Sequence, residues 1–114
     1  MNWRKNYYIL LMIRKRKNKL LKYPGGEIIR KGLSDIRNKK YDSVEALAVF
    51  TASPRLNDFG FRINENIFVY PHLILYKKLQ FFFSDDAHAQ YNNMMMRVAK
   101  FCNHYQYTAP KKMK

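Results

Sequence analysis

Asp85, Asp86, His88 and Tyr91 are the one grouping in this 114-residue chain whose types and spacing could do acid–base chemistry. Asp85 lies three residues before His88 and Tyr91 three after, so a helix would bring all three to one side. A histidine oriented by a carboxylate can act as a general base. The same residues also have simpler roles. Ser84 and Asp85 are good N-cap types, both acids suit the positive end of a helix dipole, and Tyr91 falls on an apolar face. No catalytic residue is therefore assigned, His88 is read as structural and bonded to a neighbouring loop, and no enzyme is expected. Cys102 and His104 bring two metal-ligating types close together, but Cys102 is read as facing the core and His72 is distant in sequence. No zinc spacing is present, so no metal or cofactor is expected.

Charge is the stronger signal. The formal net charge is +14, and it is unevenly placed. Residues 1–40 carry 13 Lys and Arg against Glu27 and Asp35, whereas residues 41–109 hold six cations and six acids. Residues 1–22 contain no acid, and Arg14, Lys15, Arg16, Lys17, Lys19 and Lys22 put six cations into nine positions, with Arg4 and Lys5 upstream. Such a cluster binds phosphates by charge and counterion release with little sequence preference. Trp3, Tyr7, Tyr8 and Tyr23 flank it and could stack on exposed bases. The candidate nucleic-acid-binding residues are thus Arg4, Lys5, Arg14, Lys15, Arg16, Lys17, Lys19 and Lys22. No helix-turn-helix, zinc-finger or RNP signature accompanies them.

The elements that must position these groups read as helices. Residues 7–13 are an apolar run followed at once by the basic cluster. That order is the reverse of a secretory signal, and the run is too short to span a bilayer. An organellar presequence would also be acid-poor and amphipathic, but this segment is poor in serine. The run is expected to dock as a helix, with Leu20 and Leu21 returning to the core. Tyr23-Pro24-Gly25-Gly26 is a break. Residues 27–38 read as a helix with Ile29, Leu33 and Ile36 on one side and a close helix contact at Gly32. Asp42 with Glu45 looks like a capping box, starting a helix at Ser43 with Ala46, Leu47, Val49 and Phe50 in the core. Pro54 either kinks that helix or opens a new turn, and Gly60 stops it.

Residues 61–70 are compatible with a small hairpin or an extended crossing. Pro71 suits the first position of a helix whose core side carries His72, Leu75, Tyr76, Leu79, Phe82 and Phe83. The cleanest periodicity belongs to residues 85–105. Ala87, Tyr91, Met94, Val98, Phe101 and Tyr105 recur at steps of three and four, widened by Met95 and Cys102. The other helices are expected to pack on that face. Phe81-Phe82-Phe83 and Met94-Met95-Met96 are read as packing residues, with Phe81 or Met96 the candidates for a partner surface.

Three strings carry a resemblance. They are the segment from Gly25-Gly26-Glu27 to Gly32-Leu33-Ser34-Asp35, then Glu45-Ala46-Leu47-Ala48-Val49 with Arg55, Leu56 and Gly60, and last Ala87-His88-Ala89-Gln90-Tyr91-Asn92. Over residues 24–104 the chain resembles a group of small bacterial proteins without established activity, in which a glycine pair opens a G-L-x-D-L-like helix and an A-H-x-x-Y-N-like string opens the last one. Ile36 stands where that pattern has leucine. The resemblance implies one compact cytosolic domain.

An apolar share of 47 %, with 16 % aromatic, is well above that of a disordered chain, and the length suits one domain. The single cysteine points to a reducing, cytoplasmic setting. The expectation is an all-α compact bundle of about five helices: a basic N-terminal helix or arm (1–23), one helical domain (24–107) and a basic flexible tail (108–114). The expected function is binding of a polyanion, nucleic acid, through the basic helix. The alternative is a protein–protein interaction module or homodimer in which charge only tunes solubility.

Overall fold

The structure is a computed structural model that describes residues 19–108. Arg4, Lys5, Arg14, Lys15, Arg16 and Lys17, the apolar run 7–13 and residues 109–114 lie outside the described residues. Within them the fold is all-α: α1 (Gly26–Arg37), α2 (Val44–Thr51), α3 (Ser53–Asp58), α4 (Pro71–Phe83), a 3-10 turn (Ser84–Asp86) and α5 (Ala87–Thr108). The expected five counted an N-terminal helix that lies outside the described residues; within them four helices have eight or more residues, and Ser53–Asp58 adds a short one of six. The hairpin does not form, because residues 61–70 hold no strand.

The centre of the fold is α2, not the strongly periodic C-terminal helix. Ala46 to Phe50 are five consecutive buried residues. A helix that is apolar all round is buried all round, and so shows no amphipathic period. α1, α4 and α5 pack around it. α5 then behaves as its pattern requires, burying Ala87, Val98, Phe101 and Cys102 and half-burying Tyr91, Met94, Met95 and Tyr105. It begins at Ala87, two residues later than expected. Ser84 to Asp86 form the 3-10 turn, with the Ala87 amide donating to the Ser84 carbonyl, and they do not cap α5 directly. Thr108, read as the start of the tail, is the last residue of α5, and its hydroxyl donates to the His104 carbonyl (2.7 Å).

Two helix ends close in the same way. After α3, the Phe61 amide donates to the Leu56 carbonyl and the Gly60 amide to Asn57, with Gly60 at φ 99°. After α1, the Lys40 amide donates to Asp35 and the Lys39 amide to Ile36, with Lys39 at φ 62°. Both are Schellman closures, and the left-handed residue they require is a glycine in one and a lysine in the other. Lys39 is exposed, and its side chain is not needed for the closure. Lys39→Gly is therefore expected to raise unfolding free energy by about 0.5–1 kcal/mol in urea denaturation. A loss of stability would mean that the side chain matters more than the backbone conformation.

The α2–α3 joint follows from Pro54, which cannot donate a backbone hydrogen bond. The Ser53 hydroxyl donates to the Phe50 carbonyl instead (2.7 Å), and Ser53 is buried there. Asn57 then fixes the start of the crossing segment. Its side chain both donates to the Ile63 carbonyl (2.9 Å) and accepts from the Ile63 amide (2.8 Å), as a neighbouring strand would. That pairing seats Phe61 and Ile63 in the core. Tyr105 gathers the aromatic end of the molecule, with ring centroids 5.2–5.5 Å from those of Tyr23, Phe59, Phe61 and Phe101.

Candidate functional site

Of the expected basic site, Lys19 and Lys22 are described, and both are exposed. Leu20 between them is buried, whereas Leu21, expected in the core, is 47 % exposed. The chain leaves this point through a tight approach. The Leu20 carbonyl lies against Gly26, and the Arg97 carbonyl of α5 lies against Gly25, leaving no room for a Cβ at either glycine. Gly25 sits at φ 74°, so the glycine pair answers both a backbone conformation and a steric need. Tyr23 is withdrawn from the candidate stacking residues. It is half-buried against Phe101 and Tyr105, with centroids at 5.7 and 5.2 Å, and is not free to meet a base.

The two acids of residues 1–40 are both engaged elsewhere. Glu27 pairs with Arg97 across α1 and α5. Asp35 is buried and accepts from Lys31 Nζ (2.7 and 2.8 Å) and from the Ser43 hydroxyl (2.6 Å). Ser43 in turn caps α2, its Oγ accepting the Ala46 amide (3.1 Å), so the N-cap is Ser43, one residue later than Asp42. Asp42 instead receives Lys78, at its backbone carbonyl and, at 3.9 Å, its carboxylate.

These pairs leave several cations of the described body without an acid. Arg30 and Arg37, seven residues apart, share one exposed side of α1, and the exposed Lys39 and Lys40 follow its end. Among the described residues none of the four is in an ion pair. Sequence reasoning stopped at the 14–22 cluster and missed them as candidates. The signal was present in the excess of cations over acids through residue 40, but the capture of Glu27 and Asp35 was not visible.

The acid–base grouping does not assemble. His88 Nε2 lies 3.1 Å from the side-chain nitrogen of Asn92, one turn along its own helix, and its ring meets the edge of Tyr76 at 6.3 Å. The bond thus runs within α5, not to a neighbouring loop. Asp85 and Asp86 sit in the 3-10 turn, and no ion pair or hydrogen bond joins either to His88 among the described residues. Tyr91 stacks edge-on against Tyr76 (5.5 Å) as a packing residue. Cys102 is buried, and that burial pushes its thiol up, with the Arg55 charge acting weakly the other way. His104, two positions on, projects from another side of α5 and is exposed. Among the described residues no three His, Cys, Asp or Glu side chains converge as metal ligands.

No family model, curated protein or solved structure matches this chain. Among the described residues no helix is long and apolar enough to cross a membrane.

The other surface feature is apolar. Phe82 and Phe83, expected to pack inside, are 60 and 44 % exposed; Phe81 and Met96, the candidates for a partner surface, are 83 and 54 % exposed, and Val69, Tyr70, Leu73 and Ile74 are exposed with them. α4 buries only Leu75 and Leu79. The reason lies in its composition. Residues 71–83 are apolar or aromatic on almost every side, so periodicity could not separate the face turned to α2 and α5 from the face turned to water. Phe82 and Phe83 also line a groove of about 500 Å³ with Val44, Leu79 and Met94, rimmed by Glu45, Gln90, Asn93 and Arg97.

Proposed function

We propose that this protein is a non-catalytic helical module that binds a polyanion, nucleic acid, through its basic N-terminal segment. The residues that carry the binding are Arg4, Lys5, Arg14, Lys15, Arg16, Lys17, Lys19 and Lys22. The observation behind this reading is the separation of charge. Eight cations occupy residues 1–22 with no acid among them, and the next two acids are already held by Arg97 and Lys31. Arg30, Arg37, Lys39 and Lys40, in no ion pair among the described residues, support the reading by adding exposed cations to the folded body. Phosphate contact by charge needs no preformed pocket. The single cysteine, buried and unpaired, supports a cytoplasmic setting.

The test is fluorescence-anisotropy binding of the full chain to short single-stranded and duplex DNA and RNA across a salt series. Replacing Arg14, Lys15, Arg16 and Lys17 by Glu should weaken binding at low salt by tenfold or more. It should also make the slope of log K on log salt shallower by about three, since each lost phosphate contact removes about 0.7–0.9. Binding that ignores this substitution, or no binding at low salt, would remove the proposal. A second reading, association with protein, is favoured by the uncovered apolar side of α4.

A further inference from the structure

We propose that the groove between α2, α4 and α5 seats the chain's own apolar run, residues 7–13. This stands independently of polyanion binding, since it uses none of the basic residues assigned to it.

Phe82 and Phe83 mark the groove as core-like. Leu75 and Leu79 define the buried side of α4. Phe82 lies two turns beyond Leu75, and Phe83 one turn beyond Leu79, so helical spacing turns both inward. Both are nevertheless well exposed, because what they face is the groove. Val44, Leu79 and Met94 complete its apolar lining. Inward-facing rings without close neighbours forgo area burial and dispersion together, so an apolar occupant is stabilised more here than on the outer side of α4.

The path of the chain names the occupant. Lys19 and Leu20 are helical, and Leu20 is buried. The Leu20 carbonyl lies against Gly26, next to the Glu27 that pairs with Arg97. Along α5 the groove rim runs from that same Arg97 to Gln90. Seven helical residues separate those two, a rise of about 10 Å. Ile13 is also seven residues from Leu20, within about 10 Å as helix and at most about 24 Å extended. The run thus reaches the Phe82 and Phe83 half of the groove. Its seven consecutive apolar residues exceed what a water-facing stretch carries. Charge agrees with this placement. Residues 1–22 hold no acid, whereas Glu45 on the rim and Asp85 and Asp86 in the turn after Phe83 are in no ion pair among the described residues. A tether this short gives the run a local concentration on the order of millimolar, which a second copy or a separate apolar partner would have to exceed.

Thiol labelling of the full chain tests this. Gln90→Cys and Met96→Cys each place one thiol on α5, the first on the groove rim and the second on another side, while Cys102 is buried. The Gln90→Cys thiol should react at least tenfold more slowly than the Met96→Cys thiol, at a rate independent of protein concentration. Adding Leu10→Asp and Leu11→Asp should bring the two rates together while a cooperative thermal transition persists. In the unsubstituted chain, nuclear Overhauser contacts should join the methyl groups of residues 9–13 to the rings of Phe82 and Phe83. A sample mixing labelled and unlabelled chains should place those contacts within one chain. Equal labelling rates without the Asp substitutions would overturn the proposal, as would an absence of those contacts. Protection of Gln90→Cys that grows with protein concentration would also overturn it, by giving the groove to a second copy.

Discussion

Gly32→Ala is expected to lower the unfolding free energy by about 2 kcal/mol, although alanine is the better helix former by about 1 kcal/mol. Propensity and packing give opposite signs at this position, and distance decides between them. A Cβ on Gly32 would fall on the Val49 side chain and on the backbone carbonyl of Glu45. The valine methyl can rotate, but the carbonyl belongs to the first turn of α2, whose start is pinned by the Ser43 cap. α1 would therefore have to move off α2 along the contact that also seats Ile28 and Ile29 in the core. Overpacking of this kind costs about 1–3 kcal/mol for small insertions. Gly32→Val adds two further methyl groups and is expected to leave the chain without a cooperative transition. Urea unfolding followed by circular dichroism measures both, with Arg30→Ala on the exposed side of α1 as a near-neutral control. A Gly32→Ala chain more stable than the parent would mean that helix propensity outweighs the α1–α2 contact at this position.

The sequence was readable where water touches one side of a helix and silent where it touches neither side or both. α5 gave its face correctly because its polar and apolar residues alternate with the helical period, and the boundary errors at its ends are of one turn or less. α2 reads as five apolar residues in a row, which fixes burial but not orientation, so its central position came only from the structure. α4 failed in the opposite sense. Its apolar residues outnumber the positions that the core can cover, and helical spacing alone assigns Phe82 and Phe83 to the inside. The excess is itself informative, since a helix carrying more apolar surface than its own fold can bury needs another surface to meet. Turn chemistry was legible at Gly60 and at the Gly25-Gly26 pair, and hidden at Lys39, because lysine carries no signal for a left-handed backbone.

The candidate sites divide along similar lines. Net charge is additive along the chain, so the basic character of residues 1–40 needed no structure to be seen. Which acids are spent internally is a matter of pairing between distant segments, and the Glu27–Arg97 contact spans α1 and α5. Helical spacing brought His88 near Asp85 and Tyr91 on paper. The 3-10 turn breaks that register, and the imidazole finds Asn92, a neutral partner at i+4.

Acid should destabilise this fold through Asp35, and Asp35→Asn should remove much of that sensitivity. Burial alone would push the Asp35 carboxyl up, since it disfavours the charged form. The hydrogen bonds from Lys31 and Ser43, with the charges of Lys31 and Lys40, outweigh burial and hold the carboxyl below its ordinary value near 3.8. A carboxylate that binds protons less readily when folded contributes stability that is fully present above its unfolded pKa. That contribution is lost as pH falls through the folded value. Stability should therefore be flat from neutrality down to about pH 5, and fall below about pH 4 as the unfolded chain takes up the proton first. In Asp35→Asn the Ser43 hydroxyl keeps an acceptor while the charged partner of Lys31 is gone, so the cost at neutral pH should be about 1 kcal/mol. Asp35→Ala leaves the Ser43 hydroxyl without its acceptor where α1 meets the cap of α2, and should cost about 2–3 kcal/mol. Urea unfolding of the three chains between neutral pH and pH 3 measures these differences. Parallel acid curves for the parent and Asp35→Asn would mean that the carboxylate is not held in its charged form by Lys31 and Ser43, and that acid unfolding starts elsewhere.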